Sequence, residues 1–298
     1  MKAIPGHLWL GLGTGALALG MAAGHYRAQK ARQSWQASCA VAGRKKALIT
    51  GASSGIGAEF ARQLSALHYD LILVARRHER LERLAAQLSE ANGVQVEWLP
   101  ADLTQYADVE RVCEHITKLS HLQLLVNNAG FGLEGRFAQS DLQRQVDMIE
   151  LHVLASVRLM RAALPGMIER RFGGIINVSS LAALVALPMH ASYSATKSYL
   201  HVFSMALHAE LRSTGVRVQA LCPGFTESEM HGPADNSRRN DLPSFLFLPA
   251  SQVVRESLNA LEADRGLCIP GTFYKFAGQV VRIGPVADMV TRLMASRD

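Results

Sequence analysis

Short apolar runs alternate along the chain with longer amphipathic stretches of helical period. Between Arg76 and Asn92, for example, Leu81, Leu84 and Leu88 lie on one face of a predicted helix. Such alternation is typical of α/β proteins built on a parallel sheet. Six strands are predicted, at Lys46–Thr50, Tyr69–Ala75, Val94–Leu99, Leu122–Asn127, Gly174–Ser179 and Val216–Cys222.

The helices predicted between these strands complete a single, doubly wound domain. The longest runs from about Ser140 to Arg171 and is expected to bend near Pro165. No Pro/Ser-rich linker, repeat or low-complexity tract interrupts residues 44–270, so we assign residues 44–298 to one domain and residues 1–43 to an N-terminal segment. The other helices are expected at Ala58–Leu64, Arg76–Asn92, Tyr106–Leu119 and His190–Ser213.

A glycine-rich turn, Thr50–Gly57, joins the first predicted strand to the first predicted helix. Glycines permit tight turns and close approach of the main chain to a ligand. The exposed N–H groups and the positive end of the following helix favour a pyrophosphate. The spacing, Thr-Gly-x-x-x-Gly-x-Gly, differs from the more common Gly-x-Gly-x-x-Gly. A dinucleotide-binding loop and a purely structural turn are both compatible with this motif taken alone.

A second motif, Tyr193-Ser194-Ala195-Thr196-Lys197, begins thirteen residues after Ser180. Tyr193 and Lys197 share one helix face, so the ammonium can approach the phenol and favour its ionised form. The Ser180 hydroxyl could hold a substrate oxygen against that phenol. A lone Tyr-x-x-x-Lys also occurs by chance on exposed helices. It is informative here because the same chain also contains the glycine-rich turn.

Taken together, the motifs resemble those of the short-chain dehydrogenase/reductase family. The resemblance spans roughly residues 44–270, and within the family it is closest to reductases of lipophilic ketones, of the 3-oxoacyl and hydroxysteroid type. It implies a Rossmann domain that binds a nicotinamide cofactor. The pieces that match, in the family's order, are Thr50–Gly57, Asp102-Leu103, Asn127–Gly130, Ser180, Tyr193 with Lys197, and Pro223-Gly224 with Thr226.

The resemblance also implies a mechanism, hydride transfer between the nicotinamide and a carbonyl carbon. Tyr193 would be the general acid in reduction, Lys197 would lower the pKa of its phenol and bind the nicotinamide ribose, and Ser180 would hold the substrate oxygen. Ser179 is interpreted as a structural hydroxyl. Cofactor-binding roles are implied for Gly51, Ser53, Ser54, Gly55, Ile56, Gly57, Arg76, Arg77, Asp102, Leu103, Asn128, Tyr193, Lys197 and Thr226.

Individual roles follow for three of these residues. Asp102 would meet the adenine, Asn128 would lie near the nicotinamide ribose, and Thr226 would fix the carboxamide. As bare residues, Asp102 could equally cap the next helix and Asn128 could lock a turn.

The choice between the two nicotinamide cofactors depends on the end of the second strand. NAD-binding relatives usually carry an acidic residue there, whereas this chain has Arg76 and Arg77. Two guanidinium groups could pair with a 2′-phosphate. We therefore predict NADP(H). The alternative is that both arginines are solvated residues at the start of a helix.

The long helix departs from the family pattern at His152, where many relatives place an asparagine that supports a water leading to the lysine. A single His in an apolar helix is more often a packed core residue than a catalytic one. A relay to Lys197 could still run through a backbone carbonyl and water.

The net charge of +6 is concentrated near the N-terminus. Residues 1–58 contain seven Lys/Arg and no Asp/Glu, which leaves 24 basic against 25 acidic residues in the remainder, a net charge of −1. Because the residues after 58 are nearly neutral overall, their charge gives no argument for nucleic-acid binding. The four cysteines are widely separated, so neither a metal site nor a disulfide framework is predicted.

An uncharged segment, Leu8–Gly24, lies inside this basic region. It is just long enough to span a bilayer, and the basic residues after it predict a catalytic domain on the cytoplasmic side. We expect a membrane anchor. A signal peptide cleaved near Ala23 and a peripheral arm are the alternatives.

The substrate region is expected at Phe225–Ser251, as a lid. Its apolar stretch Phe245–Leu248 suits a lipophilic substrate or an entrance facing the membrane, or else a homo-oligomer contact or plain core. The tail after Gly271 resembles an amphipathic interfacial helix. The leading interpretation is a membrane-anchored, NADPH-dependent reductase of a ketone or 3-oxoacyl thioester. A hydroxysteroid/retinol-type alcohol dehydrogenase and a non-enzymatic dinucleotide-binding regulator are the alternatives.

Overall fold

The computed structural model describes residues 22–38, 45–227 and 243–281. Within them, one parallel sheet has the strand order β3-β2-β1-β4-β5-β6-β7. The six predicted strands are confirmed, with ends that differ by at most two residues, and a two-residue seventh strand was not predicted. The strands are β1 (Lys45–Thr50), β2 (Tyr69–Ala75), β3 (Val96–Pro100), β4 (Leu122–Asn127), β5 (Gly173–Val178), β6 (Val216–Leu221) and β7 (Leu267–Cys268).

Helices cover both faces of the sheet, so the predicted doubly wound α/β fold is confirmed. Phe60, Leu81 and Val254 pack on one face, and Val112 and Leu159 pack on the other. The helices are α1 (residues 22–38), α2 (Gly55–Ala66), α3 (His78–Asn92), α4 (Tyr106–Lys118), α5 (Leu142–Ile149), α6 (Ser156–Glu169), α7 (Ala191–Glu210), α8 (Ala250–Glu262) and α9 (Thr272–Val281).

The strand order reverses between β1 and β4, which are neighbours in the sheet although they are not consecutive in the chain. In open α/β sheets, the loops at such a switch point diverge at the carboxyl ends of the strands and leave a crevice for a ligand. The glycine turn follows β1, and the Asn127–Gly130 motif begins at the end of β4. The sheet order therefore brings these two motifs together.

The predicted long helix is interrupted, and the interruption lies at a different position from Pro165. A π-helical segment, Glu150–Ala155, lies between α5 and α6, whereas Pro165 lies within α6. Such π-helical insertions are rare and are often found at functional sites. The irregularity thus falls on the segment that contains His152.

Within its described residues, 22–38, the N-terminal segment contributes Trp35 to the core. Trp35 in α1 is buried and its ring lies 4.6 Å from that of Phe172. The guanidinium of Arg217 lies 4.8 Å from the Trp35 ring and donates a hydrogen bond to the Ala31 carbonyl. Part of the N-terminal segment, residues 22–38, is therefore a helix that packs on the catalytic domain through Trp35.

One helical stretch among the described residues, Leu142–Glu169, is long and apolar enough to cross a membrane by length and composition. It lies inside the catalytic body, where Met148, Leu159 and Met167 are buried, so these features mark a core helix. Most of the predicted anchor, Leu8–Gly24, lies outside the described residues, and the anchor stays a prediction.

The described parts of the predicted lid are its two ends. Thr226 forms a β-bridge with Leu248, and the rings of Phe225 and Phe247 lie 5.7 Å apart. Residues 228–242 of the lid and 282–298 of the tail lie outside the described residues. Helix α9, at the start of the tail, exposes Phe273 and Phe276.

Candidate active site

The glycine turn has the tight geometry that its sequence predicts. Gly51 has a φ of +65°, a conformation that side chains disfavour. A Cβ at Gly57 would lie 2.3 Å from the Gly51 carbonyl oxygen and 2.5 Å from the Asn128 amide nitrogen. Both glycines are thus required by the local backbone, and the helix N-terminus lies directly against the turn.

Asn128 holds this turn against the end of β4. Its side-chain amide donates to the carbonyls of Thr50 and Gly51 at 3.0 and 3.3 Å. The Thr50 hydroxyl accepts from the N–H groups of Asn128 and Ala129. Asn128 therefore locks the turn, as the alternative interpretation had it, and it also lines the cavity beside the turn.

This cavity lies along the carboxyl edge of β1, β2 and β4. Ten of the predicted cofactor residues line it: Gly51, Ser53, Ser54, Gly55, Ile56, Arg76, Arg77, Asp102, Leu103 and Asn128. The lining residues without a predicted cofactor role are Val74, Ala75, Ala101, Ala129, Gly130, Phe131 and Leu151. Apart from Leu151, each belongs to the Asn127–Gly130 motif, directly follows it or lies within two residues of a predicted site residue, so the position of these residues at the strand ends was the available signal.

Four predicted cofactor residues lie outside this lining, namely Gly57, Tyr193, Lys197 and Thr226. Gly57 acts through the close packing described above. Thr226 is buried, and its hydroxyl donates to the Gly224 carbonyl at 3.1 Å. The structure thus gives Thr226 a local backbone contact, and its role toward a carboxamide stays a prediction.

The two arginines after β2 differ in their partners. The Arg77 guanidinium donates to the hydroxyls of Ser53 and Ser54 in the glycine turn. The Arg76 guanidinium lies 3.9 Å from the Asp102 carboxylate and is largely exposed. Arg77 is therefore held over the turn, while the charge of Arg76 is partly balanced by a carboxylate.

Asp102 organises the loop after β3. Its carboxylate accepts from the N–H and the hydroxyl of Thr104 at 3.1 and 2.9 Å. Its own N–H donates to the Asp108 carboxylate. The residue before α4 is Gln105, so Asp102 forms a turn ahead of the helix, rather than the helix cap that was one interpretation, and it lines the cavity.

Tyr193 and Lys197 lie one turn apart on α7, with the Lys197 ammonium 5.8 Å from the centre of the Tyr193 ring. Lys197 is only 2% exposed and donates to the Val178 carbonyl at 2.9 Å. Burial lowers the pKa of Lys197 to about 8. With this pKa, most Lys197 side chains stay protonated at pH 7, although they lose the proton more readily than an exposed lysine would.

Burial also raises the pKa of Tyr193, and its hydrogen bond with Ser180 acts in the opposite direction. Burial and the Ser180 hydrogen bond are the two largest influences on this pKa, and the expectation that Lys197 lowers the pKa of the phenol stays a prediction. The contact between Tyr193 and Ser180 is the one expected from their spacing. Ser179 is buried and donates to the Lys197 carbonyl at 2.7 Å, which is the structural role predicted for it.

Among the described residues, no group of three or more His, Cys, Asp or Glu side chains could hold a metal ion. The ionisable residues that stand out at the carboxyl edge are instead the Tyr193–Lys197 pair. A crevice at a strand-order switch, a glycine turn at a helix N-terminus and a buried Tyr–Lys pair define a dinucleotide-binding oxidoreductase of the α/β class.

Known proteins identify the family. Residues 45–239 match the family model described as short chain dehydrogenase. The chain belongs to the short-chain dehydrogenase family, and it is an oxidoreductase acting on CH–OH or C=O groups. The resemblance identified from the sequence motifs is thereby confirmed.

Two relatives illustrate the similarity in sequence. The very-long-chain 3-oxoacyl-CoA reductase of Anas platyrhynchos is 31% identical over 255 residues, which cover 83% of this chain and 78% of the relative. The 17-beta-hydroxysteroid dehydrogenase type 3 of Danio rerio is 33% identical over 224 residues, covering 73% and 70%.

A solved structure, the short-chain dehydrogenase of Sphingobium yanoikuyae in complex with NADPH, is similar over most of the chain. It has a TM-score of 0.71 and 31% identity, and the match covers 84% of this chain and 95% of that one. The fold is therefore shared with a short-chain dehydrogenase whose structure was solved in complex with NADPH.

Proposed function

We propose that this protein is an NADPH-dependent reductase of a carbonyl group in a lipophilic substrate, with Tyr193 as the general acid. The observation that carries the proposal is the arrangement along one edge of the sheet. There, Arg77 is held over a phosphate-type glycine turn, and the Tyr193–Lys197 pair lies on the helix that follows β5. The two features supply a cofactor site and a proton donor.

The residues of the cavity fit NADPH. Gly57 leaves no room for a side chain beside the turn, so a pyrophosphate could approach the backbone N–H groups at the start of α2. Arg77, with Ser53 and Ser54, offers donors of the kind that a 2′-phosphate prefers. The NADPH complex of the Sphingobium yanoikuyae relative supports the same choice. Asp102 and Leu103 would border the adenine.

In the proposed reaction, bound NADPH supplies a hydride to the carbonyl carbon of the substrate. Ser180 donates a hydrogen bond to the carbonyl oxygen and orients it toward Tyr193. Tyr193 transfers its phenolic proton to that oxygen as negative charge develops, and the raised pKa keeps the phenol protonated beforehand. Lys197 in its protonated form would then stabilise the phenolate.

Apolar residues near the ends of the lid support a lipophilic substrate. Phe225 and Phe247 pack together, and Phe225, Phe273 and Phe276 are exposed. The names of the Anas platyrhynchos and Danio rerio relatives include an oxoacyl-CoA and a hydroxysteroid. The second name favours a hydroxysteroid-type dehydrogenase as the alternative. A non-enzymatic regulator would not need the Ser180–Tyr193–Lys197 set, so these three residues favour an enzyme over that alternative.

We further propose that residues 1–43 attach the enzyme to a membrane through Leu8–Gly24, with the catalytic domain on the cytoplasmic side. The support is the uncharged segment followed by Arg27, Lys30 and Arg32. Fractionation of the full-length protein without detergent tests this part separately: recovery in the soluble fraction, or cleavage near Ala23, would contradict it.

The decisive experiment follows NADPH absorbance with a panel of steroid ketones, 3-oxoacyl thioesters and small water-soluble ketones. We expect turnover with at least one bulky apolar ketone, and a loss of 10²–10⁴-fold in Tyr193→Phe, the range for a lost general acid. NADPH should bind that variant normally, as measured by cofactor fluorescence. Near-normal turnover in Tyr193→Phe would refute the mechanism.

A further inference from the structure

His152 has no exposed surface and uses both nitrogens of its ring. Its Nε2 accepts a hydrogen bond from the Phe131 N–H at 3.1 Å. Its Nδ1 lies 3.0 Å from the Thr196 hydroxyl oxygen. The imidazole thus bridges the loop that follows β4 and the helix α7 that carries Tyr193 and Lys197.

Two independent hydrogen bonds fix the position of the ring proton. A nitrogen that accepts from an N–H carries no proton, so the neutral ring must be protonated on Nδ1. The Thr196 hydroxyl, in turn, donates its only proton to the Tyr193 carbonyl at 3.0 Å. Its oxygen must therefore accept from His152. Both ends of the chain of hydrogen bonds require the same tautomer.

The surroundings of His152 agree with a neutral ring. Burial and the Lys197 ammonium hold the pKa of His152 well below its usual value, and the N–H that Phe131 donates to Nε2 also favours the neutral ring. The ionisable groups that face the ring are Lys197 and Tyr193, whose ring centre lies 6.0 Å away. Glu150 begins the same π-helical segment. With its lone pair taken by Phe131, the ring has no free site for a proton.

The loop side of the bridge is built to accept the ring. A Cβ at Gly130 would lie 2.8 Å from Nε2 of His152, so only glycine fits there. Gly130 and Phe131 both line the cofactor cavity. A displacement of the imidazole would therefore move the cavity wall and the Tyr193 helix relative to one another.

We infer that His152 is a positioning residue, which fastens the Gly130–Phe131 wall of the cofactor cavity to the helix that bears Tyr193 and Lys197 through one fixed tautomer. The inference rests on the proposed function for its effect on turnover, but the tautomer can be measured without turnover. It excludes a side-chain proton relay through His152. It also explains how a histidine can occupy this π-helical segment without titrating.

The first test is nuclear magnetic resonance of the full-length enzyme with ¹⁵N-labelled histidine, with the His152 signal identified from its loss in a variant. We expect a neutral ring protonated on Nδ1 from pH 6 to pH 8. An Nε2-protonated ring, or titration within that range, would overturn the assignment. If the tautomer is as expected while the wild type fails to oxidise NADPH with every ketone tested, the proposed function fails and the positioning assignment stands.

The second test separates the two bonds. An asparagine amide reaches roughly the Nδ1 position and a glutamine amide roughly the Nε2 position. His152→Asn should keep the bond to Thr196 and lose that to Phe131, and His152→Gln should do the reverse. Each should lower kcat/KM for NADPH by about fivefold, the value of one neutral hydrogen bond, and His152→Leu should lower it further. The pH profile should keep its wild-type shape in all three.

Thr196→Val provides the cross-check. It should cost about fivefold in the wild type and in His152→Asn, but almost nothing in His152→Gln, where that bond is already lost. Equal costs in all three backgrounds, or wild-type kinetics in His152→Leu, would refute the inference. His208→Gln is the matched control, because His208 is a mostly buried histidine near the far end of α7; it should change stability without changing the kinetic constants. NADPH dissociation constants replace kcat/KM if no ketone is reduced.

Discussion

The cofactor side and the lid side of this molecule are held together in different ways. On the cofactor side, Asn128 bonds to Thr50 and to the glycine turn because β1 and β4 end side by side in the sheet, although the two residues are 78 positions apart in the chain. On the lid side, Tyr274 of α9 joins two segments through its side chain. Its hydroxyl accepts from the Phe225 N–H and donates to the Leu246 carbonyl at 2.6 Å.

The C-terminal helix is itself fastened from outside the lid. The Glu256 carboxylate in α8 accepts from the Gly271 N–H and from the Lys275 ammonium, the latter at 2.7 Å. The contrast teaches that the cofactor side consists of recognisable motifs aligned by neighbouring strands, whereas the lid side depends on side-chain contacts that no strand pairing or motif signals. Variants of the two sides should therefore affect different constants.

The largest effect is expected at Gly57→Ala. The new Cβ would meet the Gly51 carbonyl at 2.3 Å, and backbone atoms cannot move aside as a flexible side chain would. We expect NADPH affinity to fall by about a hundredfold, which corresponds to the upper part of the ~1–3 kcal/mol range for overpacking. Gly132→Ala is the control, because nothing lies within 4 Å of a Cβ there. Equal affinities in calorimetric titrations of the two variants would contradict the role assigned to the turn.

The two arginines test the cofactor side more finely. Arg77→Ala should weaken NADPH binding by ~1–3 kcal/mol, the range for a hydrogen bond to a charged group, and leave NADH binding almost unchanged. Arg76→Ala should have a smaller effect, because the Arg76 charge already faces Asp102. Dissociation constants for both cofactors give the answer. If Arg76→Ala discriminates between the cofactors more strongly than Arg77→Ala, the phosphate site is assigned to the wrong residue.

Lys197, between the two sides, predicts a pH effect on stability. Its pKa is about 8 in the fold against an ordinary value of 10.5, so the unfolded chain binds more protons between these values and stability rises with pH there. This increase in the free energy of unfolding should reach about 2 kcal/mol between pH 7.5 and 9.5. Urea unfolding of wild type and Lys197→Met isolates the contribution of Lys197, because the thiols of Cys113 and Cys268, whose pKa values are raised by burial, oppose the trend equally in both. Parallel stability curves would show that Lys197 does not bury its charge.

The smallest effect is expected on the lid side. Tyr274→Phe removes the hydroxyl that joins Phe225 to Leu246, and should cost ~1 kcal/mol of lid stability. We expect a several-fold higher KM for a bulky ketone, with unchanged KM for NADPH and for a small ketone. A change in the NADPH constant instead would mean that the two sides are not separable.

The sequence predicted the elements whose signals are local. The bounds of Leu122–Asn127 and Tyr69–Ala75 were predicted to the residue, because a buried central strand is a continuous apolar run. Strand β7 was missed because a two-residue strand is too short to show a pattern of apolar and polar positions. The π-helical segment was missed because Glu150–Ala155 contains neither a proline nor a glycine that would signal an irregular helix.

The same distinction holds in the site. The roles of Gly51 and Gly57 could be predicted from the motif that contains them. The different roles of Arg76 and Arg77 could not, because they depend on which side chain reaches Ser53 in the fold. The clasp formed by Tyr274 has no sequence signal, since it depends on three distant segments meeting. Leu151 lines the cavity from a helix, away from every strand end, and for that reason no motif identified it.

Trp35 has a practical consequence for how the protein is prepared. The family match begins at residue 45, which makes that position a tempting start for a shortened, soluble version. Such a version would lack the Trp35 indole that packs on Phe172. It would also expose Gly174 to water, because the indole covers this glycine so closely that a Cβ there would lie 3.0 Å from the ring. A protein that begins before Ala31 would keep Trp35 in the core. A protein that begins at residue 45 should aggregate or unfold at a lower temperature, for a reason unrelated to catalysis.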